Sequence, residues 1–217
     1  MPAAPFPRQA AVSAWFEKAG AEAMRTAEQG YLLEQVQGFP AQPWLWLAPC
    51  ATWLPAETPN GRGVRLHRAA DGRAWGGEVC CALPLPLPSE AVNAIVLQHV
   101  ATVELETLLS ECARVLMPGG RLWMTVLNRC SPYRAHWQWQ GARPPSATRC
   151  RLLLQREGLR VRSVRHLGPL WSESGQAGGR ALPALRAVRV LEFEKRTLAF
   201  IGPEAVRPVG WRAPVAT

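Results

Sequence analysis

An α/β fold built on a largely parallel sheet, with helices on both faces, is predicted by three features of the sequence. The first is the succession of an apolar run, VNAIVLQHV (Val92 to Val100), an amphipathic stretch, the turn Pro118-Gly119-Gly120 and a second apolar run, RLWMTVLN (Arg121 to Asn128). This order reads as strand, helix, turn and strand, one β-α-β unit. The second is PWLWLAP (Pro43 to Pro49), apolar at every position between prolines, as a central strand covered on both faces requires. The third is size: 217 residues, 48% of them hydrophobic, suffice for one core.

The elements follow in order. From Val12 the positions Val12, Trp15, Phe16, Ala19, Ala23, Ala27 and Tyr31 recur at three-to-four spacing, which predicts an amphipathic helix with a break near Gly30 and a stop at Gly38 and Pro40. PWLWLAP is the first strand. Residues 51–63 carry Pro55, Pro59, Asn60, Gly61 and Gly63, too many breakers for an ordinary helix. GVRLH is the second strand, GGEVCCAL the third, and the proline-spaced LPLPLPSE an extended loop. Ala94 to Leu97 form the fourth strand.

Thr102 is the expected cap of the next helix, with Glu104 and Glu106 in its first turns and Leu105, Leu108, Leu109, Cys112, Ala113 and Leu116 on its buried face. Pro118, Gly119 and Gly120 end it, and Leu122 to Leu127 form the next strand. An irregular segment rich in Trp, Arg and Pro follows, with Trp137, Trp139, Arg134 and Arg143 as a lid or a stacking surface. Ser146 caps a helix through Arg156, LRVRSV and AVRVLEF are the closing strands, and residues 201–217 read as a weakly structured tail.

Composition narrows the function. No apolar run approaches the ~20 residues that span a bilayer, and MPAAPFPRQA has neither the basic start nor the apolar centre of an export signal, so a cytoplasmic protein is expected. Cys50, Cys80, Cys81, Cys112, Cys130 and Cys150 include no C-x-x-C pair, and His67, His99, His136 and His166 are widely separated, so no metal site is expected. The net charge of +9 is uneven: residues 1–120 hold 8 basic and 11 acidic groups, residues 121–217 hold 17 and 5. The Arg-rich 121–217 half could meet an acidic protein partner or nucleic acid, or reflect compositional bias toward Arg.

LPLPSEAVNAIVLQHV (Leu85 to Val100) and ECARVLMPGGRLWMTVLN (Glu111 to Asn128) resemble the second half of class I S-adenosylmethionine-dependent methyltransferases, and the opening WF with QGYLLEQ is similar to small bacterial methyltransferase-like proteins of the type-11 group. The resemblance implies a Rossmann-like sandwich: a mostly parallel seven-stranded sheet with an antiparallel last strand. It implies a single domain over residues 1–200, with the N-terminal helix in 1–40, the cofactor-binding half in 41–130 and the substrate-side half in 131–200. It also places S-adenosylmethionine across the carboxyl ends of the first three strands.

On this chain those positions are Leu47, Ala48 and Cys50 after strand one, Arg68 and Asp71 after strand two, Cys81 and Ala82 after strand three, and Gln98 after strand four. The glycine turn expected after Leu47 reads Ala48-Pro49-Cys50-Ala51-Thr52, and Cys81 and Asn93 stand where aspartates are usual. His99 falls where family members present a residue to the transferred methyl group, as a general base or as a packed strand-end histidine. Two functions stay open: methyl transfer to an unknown small-molecule or macromolecular acceptor, or a catalytically inactive methyltransferase-fold protein acting through its basic half. A void above Leu47 and Cys81 would favour the first, and Trp53 and Pro49 filling it the second.

Overall fold

The computed structural model describes residues 15–40, 42–69, 72, 74–99, 104–138, 144–170 and 182–196. Its elements are α1 (Glu22–Gln37), β1 (Trp44–Ala48), β2 (Gly63–Arg68), β3 (Trp75–Gly77), β4 (Val92–Gln98), α2 (Leu105–Val115), β5 (Leu116–Leu127), α3 (Ala135–Gln138), α4 (Ala147–Arg156), β6 (Leu159–Leu167) and β7 (Val188–Lys195). The sheet has seven strands in the order β3-β2-β1-β4-β5-β7-β6. β2, β1, β4 and β5 are parallel, and β7 runs antiparallel to both β5 and β6. Both β1 and β4 are buried at every residue, as their unbroken apolar runs require.

Two layers cover the sheet. On one face α2 and α4 pack Leu105, Leu108, Leu109, Cys112, Cys150 and Leu154 onto Leu45, Leu47, Ile95, Leu97, Leu122 and Met124. The buried side of α2 is the one its sequence predicts. Thr102 lies outside the described residues. On the other face α1 covers Trp44, Trp46, Ala94, Val96, Trp123 and Val190. Ser146 caps α4, its hydroxyl accepting from the Arg149 N–H at 3.1 Å.

Three expectations change. The first helix passes through Gly30 unbroken, and its buried stripe is Met24, Glu28, Leu32 and Val36, one residue round from the predicted Ala23, Ala27 and Tyr31. A carboxylate occupies the middle of that stripe, so a hydropathy reading turns the helix away from its true face. The third strand is three residues at Trp75–Gly77, antiparallel to β2, rather than GGEVCCAL. Gly77 ends it at φ +138, where an added Cβ would lie 2.3 Å from the Arg65 carbonyl oxygen, so the chain turns back and Cys81 bridges to Trp75. The third change is at the β4–β5 pair: β5 starts at Leu116, immediately after α2, and the Pro118-Gly119-Gly120 turn falls inside it. The register there jumps from Val92 opposite Leu116 to Ala94 opposite Arg121, and a Cβ on Gly120 would meet the Asn93 carbonyl at 2.9 Å.

Among the described residues the connections β1–β2, β2–β3 and β3–β4 contain no α-helix. The last is the proline loop, strapped to α2 by an ion pair. Arg114 donates to the carbonyls of Leu85 at 3.0 Å and Leu87 at 2.9 Å, and Glu111 accepts from the Leu85 N–H at 2.9 Å and from Arg114 at 2.8 Å. Hydrogen bonds from Arg114, aided by the Leu85 N–H, hold the Glu111 carboxyl below the usual carboxylate range. Arg114→Ala is expected to lower unfolding stability by about 1–3 kcal/mol in chemical denaturation at neutral pH. A carboxyl whose folded pKa is depressed stabilises fully above its unfolded value and loses that contribution as pH falls, so the gap between wild type and variant should narrow in acid.

Candidate functional site

The carboxyl ends of β1, β2 and β4 form the crevice at which an open α/β sheet of this order takes a ligand. Leu47 and Ala48 end β1 fully buried on opposite faces of the sheet, followed by buried Pro49 and Cys50 and a short turn, Ala51–Trp53. The Cys50 thiol lies 3.2 Å from the Thr52 hydroxyl, and burial pushes its pKa up. Trp53 is fully buried, and its indole N–H donates to the Phe16 carbonyl at 2.8 Å. α1 holds this turn from above: Arg25 donates to the Thr52 carbonyl at 3.1 Å and Gln29 to the Trp53 carbonyl at 2.9 Å.

Gln98 and His99 close β4 and meet the same turn. The His99 side chain is 2% exposed and its backbone is left-handed at φ +48. Its ring stacks on Phe16 at 4.8 Å between centroids and meets Trp53 edge-on at 4.9 Å. His99 Nε2 stands 2.6 Å from Glu28 Oε1, the other oxygen of Glu28 accepts from Gln98 Nε2 at 3.2 Å, and Gln98 Oε1 accepts from Trp46 Nε1 at 2.9 Å. A carboxylate only accepts, so in this contact Nε2 carries the hydrogen and donates to Glu28. Nδ1 is buried with no partner.

The β2 end is closed differently. Arg68 pairs with Glu104, which stands just before α2, and its guanidinium lies 4.9 Å over the Trp75 ring. Because β1 lies between β2 and β4 in the sheet, this pair links β2 to the segment after β4 across the end of β1. Cys81 is half-buried, its thiol raised by burial, and its N–H and carbonyl both bond to Trp75 at 2.9 and 2.7 Å. Ala82 is exposed beyond it, and Asp71 lies outside the described residues. The structure thus brings Ala48, Cys50, Gln98 and His99 together on the α1 side of the sheet, places Leu47 on the α2 side in the cluster against which Cys81 packs, and leaves Arg68 and Ala82 at the β2 and β3 ends.

The described residues at these strand ends differ from those that S-adenosylmethionine calls for, and Asp71, the acid that the sequence offers after β2, lies outside them. The cofactor's ribose hydroxyls call for an acceptor, whereas Arg68 offers only donors, Nη2 paired with Glu104 and Nη1 buried with no partner among the described residues. Close approach to its methionine end needs a bare backbone, whereas Pro49, Cys50 and Trp53 occupy the turn after β1. Glu28, Phe16 and Glu104 are the residues that sequence reasoning missed. The one available signal was Glu28, a carboxylate spaced by fours from Met24, Leu32 and Val36. Among the described residues no cluster of His, Cys, Asp and Glu could hold a metal ion, and no helix is long and apolar enough to cross a membrane. Trp139, Arg143 and the side chain of Trp137 fall outside the described residues, so the lid expectation does too.

No family model matches the sequence, and no curated protein matches it. Solved structures do. A chain of the complex between the Haloferax volcanii Trm112 methyltransferase activator and the putative methyltransferase aligns at TM-score 0.55 and 13% identity, over 86% of this chain and 98% of that one. Geranyl diphosphate C-methyltransferase from Streptomyces coelicolor A3(2) aligns at 0.54 and 17%, over 88% and 100%. The [4+2]-cyclase SpnF aligns at 0.52 and 15%, over 83% and 86%. The fold is that of the class I methyltransferases.

Glu28→Ala removes the carboxylate that His99 and Gln98 share, and breaking such a buried pair is expected to cost about 3–5 kcal/mol in denaturant unfolding, with Glu28→Gln costing less because it keeps the volume and an acceptor. Thiol labelling tests the packing of the opposite face of the sheet. Burial pushes Cys112 and Cys150 up to about 12, so iodoacetamide at neutral pH should leave both unmodified in the folded protein while exposed Cys80 and Cys130 react, as read by peptide mass spectrometry.

Proposed function

We propose that this chain is a methyltransferase-fold binding protein that has given up S-adenosylmethionine, rather than an enzyme transferring a methyl group. The observation that carries this reading is the aromatic box of Phe16, His99 and Trp53 at the ends of β1 and β4, closed from behind by Glu28. The same groups that would have to face a cofactor face one another. His99 is then a keystone of packing and not a general base: a base needs hydrogen-bond reach to a substrate proton, and this ring is walled in. The exchange of an acidic ribose ligand for Arg68, tied to Glu104, supports the same conclusion from the other end of the crevice.

The fold itself is compatible with work other than methyl transfer, as the neighbour named a [4+2]-cyclase illustrates for that protein. For the present chain, its place in the cell and its partners belong to this reading: a cytoplasmic protein that meets others through its arginine-rich second half. Isothermal titration of the full chain with S-adenosylmethionine and with S-adenosylhomocysteine should give no saturable heat up to about 1 mM, a ceiling equivalent to about −4 kcal/mol. A micromolar dissociation constant for either ligand would overturn the reading.

A further inference from the structure

The most basic described surface lies away from the crevice. Residues 144–170 carry Arg149, Arg151, Arg156, Arg160, Arg162 and Arg165 against Glu157 alone. Arg149 is answered by Glu106, and Arg162 by Glu192 and Glu194. Arg151, Arg156 and Arg160 are exposed and have no carboxylate partner among the described residues. This surface contains β6, the outermost strand of the sheet, bonded on one side to β7 and on the other to no described strand. Such an edge presents a row of unpaired backbone N–H and C=O groups.

We propose that the outer edge of β6 takes an acidic, extended peptide segment of a partner protein as an added strand. The inference rests on the binding role proposed above and names the partner's chemistry. Register sets the side chains: Arg160 stands opposite Glu194 and Arg165 opposite Val190 on the α1 face, while Val164 stands opposite Leu191 on the α4 face and is 46% exposed. Arg162 sits in the bulge between Val161 and Ser163. A strand rises about 3.3 Å per residue, so alternate side chains of an incoming peptide share a face at a repeat of about 6.6 Å and can present carboxylates to the arginines along this edge.

Charge selects among occupants. A second copy of β6 would bring arginines against arginines, which keeps this edge from pairing with itself and leaves it open to an acidic strand. Nucleic acid is the poorer match: the large hydrophobic side chains exposed among the described residues are Val79, Leu152, Val164 and Leu182, none an aromatic on which a base could stack. The edge also offers main-chain pairing, which a phosphate backbone cannot use in strand fashion.

The test uses the full chain and fluorescence anisotropy with a labelled peptide of alternating Glu and Val, its Lys-Val counterpart and a single-stranded oligonucleotide. The acidic peptide should bind saturably and more weakly as salt rises, and the combination of Arg160→Glu with Val164→Glu, both at exposed positions, should weaken it about tenfold, equivalent to about 1.4 kcal/mol. Amides within Leu159–Leu167 should gain hydrogen-exchange protection in the complex, which loose electrostatic association would not produce. Equal binding of the Lys-Val peptide, tighter binding of the oligonucleotide, an affinity unchanged by the substitutions, or no new protection in β6 would each overturn the proposal. Titrating the same sample with S-adenosylhomocysteine separates the two claims, since heat there would defeat the cofactor-free reading and leave peptide binding at β6 untouched.

Discussion

The buried carboxylate of Glu28 fixes more of this molecule than any other single group. An ionised side chain removed from water costs several kcal/mol unless partners meet both oxygens, and Glu28 has them in His99 and Gln98. That requirement sets the rotation of α1 about its own axis. With Glu28 turned inward, Met24, Leu32 and Val36 turn inward too, and the next positions round, Arg25 and Gln29, come to lie over the turn after β1, where they take the carbonyls of Thr52 and Trp53. Through Gln98 the network also reaches Trp46 in the middle of β1. One polar contact therefore couples the helix, two central strands and the closure of the crevice.

The fold must also manage a sheet whose first three crossovers lack α-helices among the described residues. On the α1 face α1 covers the central strands, and bulk comes from indoles: Trp15, Trp44, Trp46, Trp53 and Trp123 are all buried there. A tryptophan buries about 150–250 Å², so a few of them replace much of what a missing helix would contribute. The substitution is imperfect, because the indole nitrogens of Trp44 and Trp123 are buried without partners, each costing about 1–3 kcal/mol. The opposite face uses this device once, at Trp75, whose indole nitrogen is also buried with no partner among the described residues. There α2 and α4 supply a conventional aliphatic layer, and the Glu111–Arg114 clamp fastens the proline loop that stands in for another helix.

What the sequence revealed follows the same division. β1, β4 and β5 were legible because strands buried on both faces must be apolar throughout, and α2 and α4 because their stripes, and for α4 its cap, are local signals. β3 was not, since a hairpin strand of three residues leaves little pattern and Gly77 acts through a contact with Arg65 on another strand. Nor was the face of α1, because hydropathy scores Glu28 as solvent-facing and its two partners lie some seventy residues away. In the crevice the sequence marked the strand ends and the absent glycines. It could not show what fills the space, since Phe16 comes from helical residues ahead of α1 and Glu104 from after the fourth strand.

Whether a ligand could reopen this crevice is a question of magnitudes. Swinging Phe16 and Trp53 off His99 would expose about 300–500 Å² of aromatic surface, or about 8–12 kcal/mol at ~25 cal/mol per Å² as an upper figure. The hydrogen bonds from Arg25, Gln29 and Trp53 would be lost as well. A domain of this kind is held together by about 5–15 kcal/mol in total, so opening the box approaches the cost of unfolding. Against this, a ligand present at a hundredfold its intrinsic dissociation constant shifts the balance by only about 2.7 kcal/mol. Half the estimated area would still leave the closed state dominant. On the reading proposed above, the aromatic packing that completes the core also shuts the crevice, and a binding role falls to the outer surfaces.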